Sequence, residues 1–267
     1  MKILLVGDIV GSPGRRVFRE VVKRMREAHE VQAVVVNGEN AAAGNGITRA
    51  LADELLNAGA DVITLGDHVW GQRELAGTIA SEKRLLRPVN FPAGAPGSGS
   101  VTVQSPCGPF TVVNLLGRVF MNPMDCPFRA MDAVLNSVPR NVPVLVDFHA
   151  EATSEKIAMG YYLDGRVAAI FGTHTHVQTS DAMILPKGTA YMTDLGMTGP
   201  AISVIGREIA PVLKKFTTGI PAKFEVANGP CVLEGAVLDL DRESGKAMSI
   251  VPYRYREAIS LEQGDVS

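Results

Sequence analysis

Short, mainly apolar runs punctuate the chain: Leu4-Leu5-Val6, Val34-Val35-Val36, Val62-Ile63-Thr64-Leu65, Val144-Leu145-Val146 and Ala168-Ala169-Ile170-Phe171. Their length and β-branched content suit buried strands. Between them the apolar spacing lengthens to a helical period. Val17, Phe18, Val21, Val22, Met25 and Ala28 share one face, with Ser12 placed as N-cap and Pro13 in the first turn. Thr48 caps a second helix through Leu51, Leu55 and Leu56 to Gly59, and a third is expected over residues 72–80. Residues 87–99, rich in Pro and Gly, read as a loop. Residues 100–104 and 110–116 flank Pro106-Cys107-Gly108-Pro109 as a hairpin. Further helices are expected over 128–138, 154–162 and 208–216.

Alternation of strand and helix predicts βαβ units and a mostly parallel sheet. In the tail, residues 223–226, 229–240 and 246–255 read as strands joined by turns without helices. They are expected to form a second, largely antiparallel sheet packed on the first. The fold class is therefore α/β, a layered α/β/β/α sandwich of two mixed sheets flanked by helices. No internal repeat or low-complexity segment interrupts it.

At 267 residues the chain suits one large domain spanning 1–267. Lys plus Arg is 26 against 28 Asp plus Glu, so the net charge of -2 offers no global field for long nucleic acid or an acidic membrane. Cys107, Cys126 and Cys231 form no C-x-x-C, which indicates neither a disulfide framework nor a thiolate zinc site. The apolar start is too short for a signal peptide, and no run approaches the roughly 18 residues of a membrane span. A soluble, cytoplasmic protein is expected. Homo-oligomer formation is left open.

Chemistry enters where the apolar runs stop. They end at Asp8, at Glu39-Asn40, at Asp67-His68, at His149, and at His174 and His176. Four of the five histidines and three carboxylates thus sit just past strand ends, where open α/β sheets place their ligands. Gly7, Gly38 and Gly66 precede the three carboxylates and allow close backbone approach. In Gly172-Thr173-His174-Thr175-His176 the imidazoles are two apart, so an extended chain would point both the same way. Hard oxygens mixed with imidazoles suit iron, manganese or zinc better than calcium. The donors outnumber one tetrahedral shell, which implies two ions at the ~3.5–4 Å separation of dinuclear hydrolases.

The ordered series Asp, Gly-Asp, Gly-Asn-His, His, Gly-His-x-His at strand ends is the signature of the calcineurin-like metallophosphoesterases, and this chain resembles it from Asp8 to His176. Gly7-Asp8-Ile9-Val10-Gly11, Asn37-Gly38-Glu39-Asn40 and Gly172-Thr173-His174-Thr175-His176-Val177-Gln178-Thr179 are similar to the bacterial YmdB-type branch in particular. The resemblance implies a helix-flanked β-sandwich, a dinuclear centre and hydrolysis of small phosphoesters, in this branch 2′,3′-cyclic nucleotides. It also implies roles. Glu39 would bridge the ions, Asp8, Asn40 and His176 would complete metal one, Asp67, His149 and His174 would complete metal two, and His68 would be the proton donor. Three positions depart from the broader family. Val10 stands where a histidine is usual, Glu39 replaces the bridging aspartate, and Asp67 replaces an asparagine. The negative charge of Asp8, Glu39 and Asp67 favours a site containing trivalent iron, with manganese or zinc as alternatives.

On that reading two cations clamp the phosphoryl oxygens and lower the pKa of a water for in-line attack, while His68 protonates the leaving ribose oxygen to give a 3′-nucleotide. Trp70 and Arg73, further along the same loop, are candidate substrate contacts, although a structural Trp and a surface Arg account for them as well. Gly44-Asn45-Gly46 lines the pocket or is a plain turn. The run Gly7-Asp8-Ile9-Val10-Gly11-Ser12-Pro13-Gly14 lacks G-x-G-x-x-G spacing, and Asp8 would repel pyrophosphate, which argues against an NAD oxidoreductase. In barrel amidohydrolases an H-x-H belongs to an early strand, whereas here it follows four ligand strands. A broad phosphomonoesterase and a non-catalytic metal-binding regulatory scaffold remain as rivals.

Overall fold

The computed structural model describes residues 1–28, 30–139 and 141–258. In chain order the elements are β1 (Lys2–Val6), β2 (Asp8–Ile9), α1 (Gly11–Glu27), β3 (Ala33–Asn37), α2 (Arg49–Asn57), β4 (Val62–Thr64), α3 (Leu75–Thr78), β5 (Leu85–Leu86), β6 (Ser100–Ser105), β7 (Gly108–Leu116), α4 (Pro127–Leu135), β8 (Val144–His149), α5 (Thr153–Leu163), β9 (Ala169–Thr173), β10 (Met183–Ile184), β11 (Ala190–Met192), β12 (Met197–Pro200), α6 (Ile209–Thr218), β13 (Cys231–Leu240) and β14 (Ala247–Arg256).

Two sheets result. In the first, β1, β3, β4 and β5 run parallel, β13 pairs antiparallel with β1, β12 and β14, and β2 pairs with β12. In the second, β7, β8, β9 and β11 run parallel, with β6 and β10 antiparallel at the edges. Side-chain alternation then builds the layers. Ile3, Leu5, Val35 and Val62 face Phe110, Val112, Leu145 and Phe171 between the sheets. On the outer face of the first sheet, Leu4, Val6, Val34 and Val36 pack on Val17, Phe18 and Val21 of α1 and Leu55 of α2. Val113, Val146 and Phe148 pack on Met131 of α4 and Met159 of α5. The α/β/β/α sandwich read from the sequence is the observed architecture.

Several expectations are corrected. The tail does not make the second sheet: β13 lies beside β1 in the first, because its first six residues are all buried and need neighbours on both sides, while β14 alternates and suits an edge. The second sheet comes from the hairpin and the strands that follow it. Residues 223–226 form no strand, only a bridge between Arg207 and Val226. Ser12 is not the N-cap of α1. Gly11, at φ 61°, turns the chain sharply enough for the helix to begin there, after Val10. The third helix shrinks to Leu75–Thr78 and a single 3₁₀ turn, Ile79–Ser81, since Glu74 gives no capping bond and Gly77 weakens a run ending in β-branched residues. Thr48 caps α2 as expected, accepting the Leu51 N–H at 3.2 Å.

Among the described residues no helix is long and apolar enough to cross a membrane.

Candidate metal centre

Parallel strands in both sheets deliver their C-terminal ends to one edge of the sandwich. β1, β3 and β4 lead into Asp8, Glu39-Asn40 and Asp67-His68, while β8 ends at His149 and β9 one residue before His174. The glycines before the carboxylates leave no space for a side chain. A Cβ at Gly66 would lie 2.2 Å from the His149 ring and 2.4 Å from Glu39 Oε2, and one at Gly7 would lie 2.2 Å from the Gly196 carbonyl oxygen.

All eight residues singled out from the sequence meet in one chain of contacts. Asp8 Oδ1 lies 3.8 Å from His176 Nε2, which is 3.2 Å from Asn40 Nδ2. Asn40 Oδ1 lies 3.0 Å from His68 Nδ1, itself 3.2 Å from Glu39 Oε1. Glu39 Oε1 is 3.3 Å and Asp67 Oδ1 3.1 Å from His149 Nε2, which is 3.0 Å from His174 Nδ1. One ligand atom each from Glu39, Asp67, His149 and His174 lies within 4.8 Å of the others. Asn40 directs its amide oxygen to His68, so serving as a ligand on the His176 side would require the opposite amide orientation.

The extended geometry assumed for the histidine pair is not what forms. His174 and His176 have φ of 102° and 62°, so the chain coils after Thr173 and sends one imidazole to His149 and Asp67, the other to Asp8 and Asn40. Asp67 and His68 likewise sit in a turn rather than an extended segment. Trp70 packs edge-on against Phe91 and belongs to the core margin, Arg73 is exposed, and Gly44-Asn45-Gly46 is a tight turn braced by Gln72.

Each of the three ligand-type imidazoles is held through the nitrogen facing away from the cluster. The Thr173 hydroxyl lies 2.9 Å from His149 Nδ1 and donates to Asp147 Oδ1 at 2.7 Å. Glu151 Oε2 lies 3.0 Å from His174 Nε2, and the Ile205 carbonyl 3.0 Å from His176 Nδ1. Such partners fix which nitrogen is free to bind. Sequence reasoning missed Asp147, Glu151 and Ile205. Asp147 had a signal, a carboxylate inside an otherwise apolar strand run. It joins the sheets by accepting from Asn37 Nδ2 at 3.3 Å and from the Thr64 hydroxyl. Burial pushes its carboxyl up to about 6, with His149 and the two hydroxyls pulling it back.

Behind the H-x-H loop lies a buried ion pair. Lys156 Nζ donates to Asp194 Oδ2 at 2.6 Å and to the Thr173 carbonyl at 2.9 Å, and the Thr175 N–H donates to Asp194 at 3.2 Å.

The charge pattern fits a cation. Asp8 is fully buried, its Oδ1 has no hydrogen-bond partner among the described residues, and burial raises its pKa. Burial also opposes ionisation of Glu39 and Asp67, yet neighbouring His149, joined at Asp67 by His174, holds both well below the usual carboxylate range. The same carboxylates hold His149 well above its ordinary value despite burial, and the bond to Glu39 raises His68. Concentrated negative donors with an orphaned carboxylate oxygen are what a multivalent cation neutralises. By contrast, a cavity of about 540 Å³ bordered by Pro13, Arg15, Ala43 and Phe224 contains none of these donors.

Comparison with known proteins agrees with this arrangement. A family model described as YmdB-like protein matches residues 4–253. A 2′,3′-cyclic-nucleotide 2′-phosphodiesterase of Bacillus subtilis is 45% identical over 251 residues, covering 94% of this chain and 95% of that protein. Among solved structures, a hypothetical protein from Thermus thermophilus aligns with a TM-score of 0.91 at 41% identity, covering 97% of this chain and 100% of the other. A phosphatase from Mycoplasma pneumoniae aligns with a TM-score of 0.90 at 33% identity, covering 96% and 94%.

Proposed function

The chain belongs to the YmdB-like family, and from that premise we propose that this metal-dependent phosphoesterase hydrolyses 2′,3′-cyclic nucleotides to 3′-nucleotides at a dinuclear centre. The observation that carries the reading is the convergence of Asp8, Glu39, Asp67, His149, His174 and His176 on one edge, with the Asp8 Oδ1 unpartnered among the described residues. Asp8, Asn40 and His176 would hold one ion, Asp67, His149 and His174 the other, and Glu39 would lie between. Bound there, two transition-metal ions would supply Lewis acidity and a water of lowered pKa, with iron favoured by the three carboxylates and manganese or zinc as alternatives.

The protein groups do the rest. His68 Nδ1 lies 3.2 Å from Glu39 Oε1, so its Nε2 is the atom left to hand a proton to the departing ribose 2′ oxygen. In the metal-free protein the bond to Glu39 raises the His68 pKa. The strained five-membered cyclic diester needs only one P–O bond broken, so no second chain has to be seated. The substrate-side partner is thus a small cyclic phosphoester, and the three free cysteines suit a reducing cytoplasm.

Phosphorus NMR of products from a 2′,3′-cyclic nucleotide tests the proposal. Accumulating 3′-phosphate is the expected result, and exclusive 2′-phosphate reverses the regiochemistry. Good phosphomonoester hydrolysis with no diester turnover hands the case to the phosphomonoesterase reading, and no turnover above Glu39→Ala favours the scaffold. Elemental analysis of reconstituted protein should find two ions per chain, and Glu39→Ala should lose ions and activity together.

A further inference from the structure

His149 and His174 are gripped by side chains, but His176 is gripped by main chain. Its Nδ1 lies 3.0 Å from the carbonyl oxygen of Ile205. A carbonyl only accepts, so Nδ1 carries the hydrogen and the Nε2 lone pair faces Asn40 and Asp8. Ile205 sits in a two-residue turn closed on both sides: Val204 N–H donates to Arg207 O and Arg207 N–H to Val204 O, each at 2.9 Å. Both central residues have positive φ, 45° at Ile205 and 94° at Gly206. Glycine tolerates that region, whereas a β-branched residue there is strained. The Ile205 side chain is 51% exposed, so its packing does not explain the strain.

What holds the turn is Arg207. Its guanidinium donates to the carbonyls of Ala43 and Phe224, both at 3.2 Å, and to that of Gly44. Gly44, at φ 81°, lies so close beneath the guanidinium that a Cβ there would sit 2.3 Å from the Arg207 Nη1 and displace it. The Ser203 hydroxyl accepts the Gly206 N–H at 2.8 Å, and the Gly206 carbonyl accepts Ala227 N–H at 3.0 Å. The loop to which Arg207 is bolted follows directly on Glu39-Asn40.

We propose that the 204–207 turn is a positioning clamp for metal one: Ile205 fixes the His176 tautomer and aims Nε2, and Arg207 couples that aim to the Glu39-Asn40 loop. The inference rests on the dinuclear reading above. In it the carbonyl position matters and the isoleucine side chain does not.

The test uses the full chain titrated with Mn²⁺ alone, followed by calorimetry and electron paramagnetic resonance, with nitrogen-resolved NMR of the histidine tautomers in metal-free protein. Arg207→Ala should weaken one of two Mn²⁺ sites about 10–100-fold, leave the other unchanged, and convert His176 from a single tautomer to a mixture. Ile205→Gly keeps the carbonyl and relieves the strain, so it should retain wild-type affinity and the single tautomer. Arg207→Ala with wild-type Mn²⁺ affinity and an unchanged His176 tautomer would overturn the clamp, as would an equal loss in Ile205→Gly. Wild-type protein binding at most one Mn²⁺ would defeat the dinuclear reading instead, and the metal-free tautomer measurement would then decide the clamp by itself.

Discussion

Replacing Lys156 by Met should cost about 3–5 kcal/mol of stability, the cost expected when one partner of a buried ion pair is removed. Asp194 is wholly enclosed, Lys156 is 2% exposed, and their charged atoms are 2.6 Å apart. At that distance and an effective dielectric near 20 the gross attraction is about 6 kcal/mol. Much of it offsets the desolvation of both groups, so the pair contributes little net against an apolar replacement. Its removal by halves is what hurts. Lys156→Met leaves Asp194 with only the Thr175 and Gly196 N–H groups as partners among the contacts described, and the Thr173 carbonyl loses a donor. Thermal melts should fall on the order of 10 °C, with urea midpoints moving in step. Adding Asp194→Asn should recover part of the loss, because the stranded charge is then gone. A single variant within 1 kcal/mol of wild type would refute the reasoning, as would a double variant less stable than the single one.

Gly66→Ala should abolish metal uptake while the far side of the sandwich stays folded, since the new methyl would collide with His149 and Glu39; near-normal metal content by elemental analysis would show that the strand end can shift. His68→Ala should keep its metals yet lose ~10²–10⁴-fold in kcat on esters with poor leaving groups, and much less on activated aryl esters, so equal losses would contradict a proton-donor role. Arg16 donates to Glu257 at 2.9 Å and thereby holds that carboxyl below its ordinary range. A depressed folded pKa contributes stability above the unfolded value near 4.3 and loses it as pH falls through the folded one. The stability difference between wild type and Arg16→Ala should therefore be constant, at roughly 0.2–1 kcal/mol, above about pH 5, and shrink towards acid. A gap that widens on acidification would reverse the sign.

Strand ends were the legible part of this protein. An apolar run that stops at a glycine and a carboxylate announces both where the strand ends and what it delivers, and three such runs, with two more that lead to histidines, define the edge at which Asp8, Glu39, Asp67, His149 and the His174–His176 pair gather. Pairing partners of the tail strands were not legible, because β13 carries an apolar pattern that any central strand would show, and only tertiary packing puts it beside β1. The direction of the two histidines depended on positive φ at non-glycine residues, which spacing does not encode. Ile205 lies 29 residues beyond the imidazole it holds and acts through its backbone, so its residue type carries no signal of the role. Glu151, two residues past His149, carries no pattern in the sequence that announces its contact with His174.

The donors are sorted by element. Oxygen and amide groups, Asp8, Glu39, Asn40 and Asp67, all follow strands of the first sheet, and every ligand-type imidazole ends or follows a strand of the second. A cation gathered between them would act as a rivet through the sandwich, its binding adding to the resistance against slip of one sheet over the other. Chelation should therefore be felt as mechanical loosening at this edge, read as faster amide exchange along the ends of β3 and β8. The same division separates two design variables: substitutions after the first sheet set the charge offered to the ion, and those after the second set its geometry and softness.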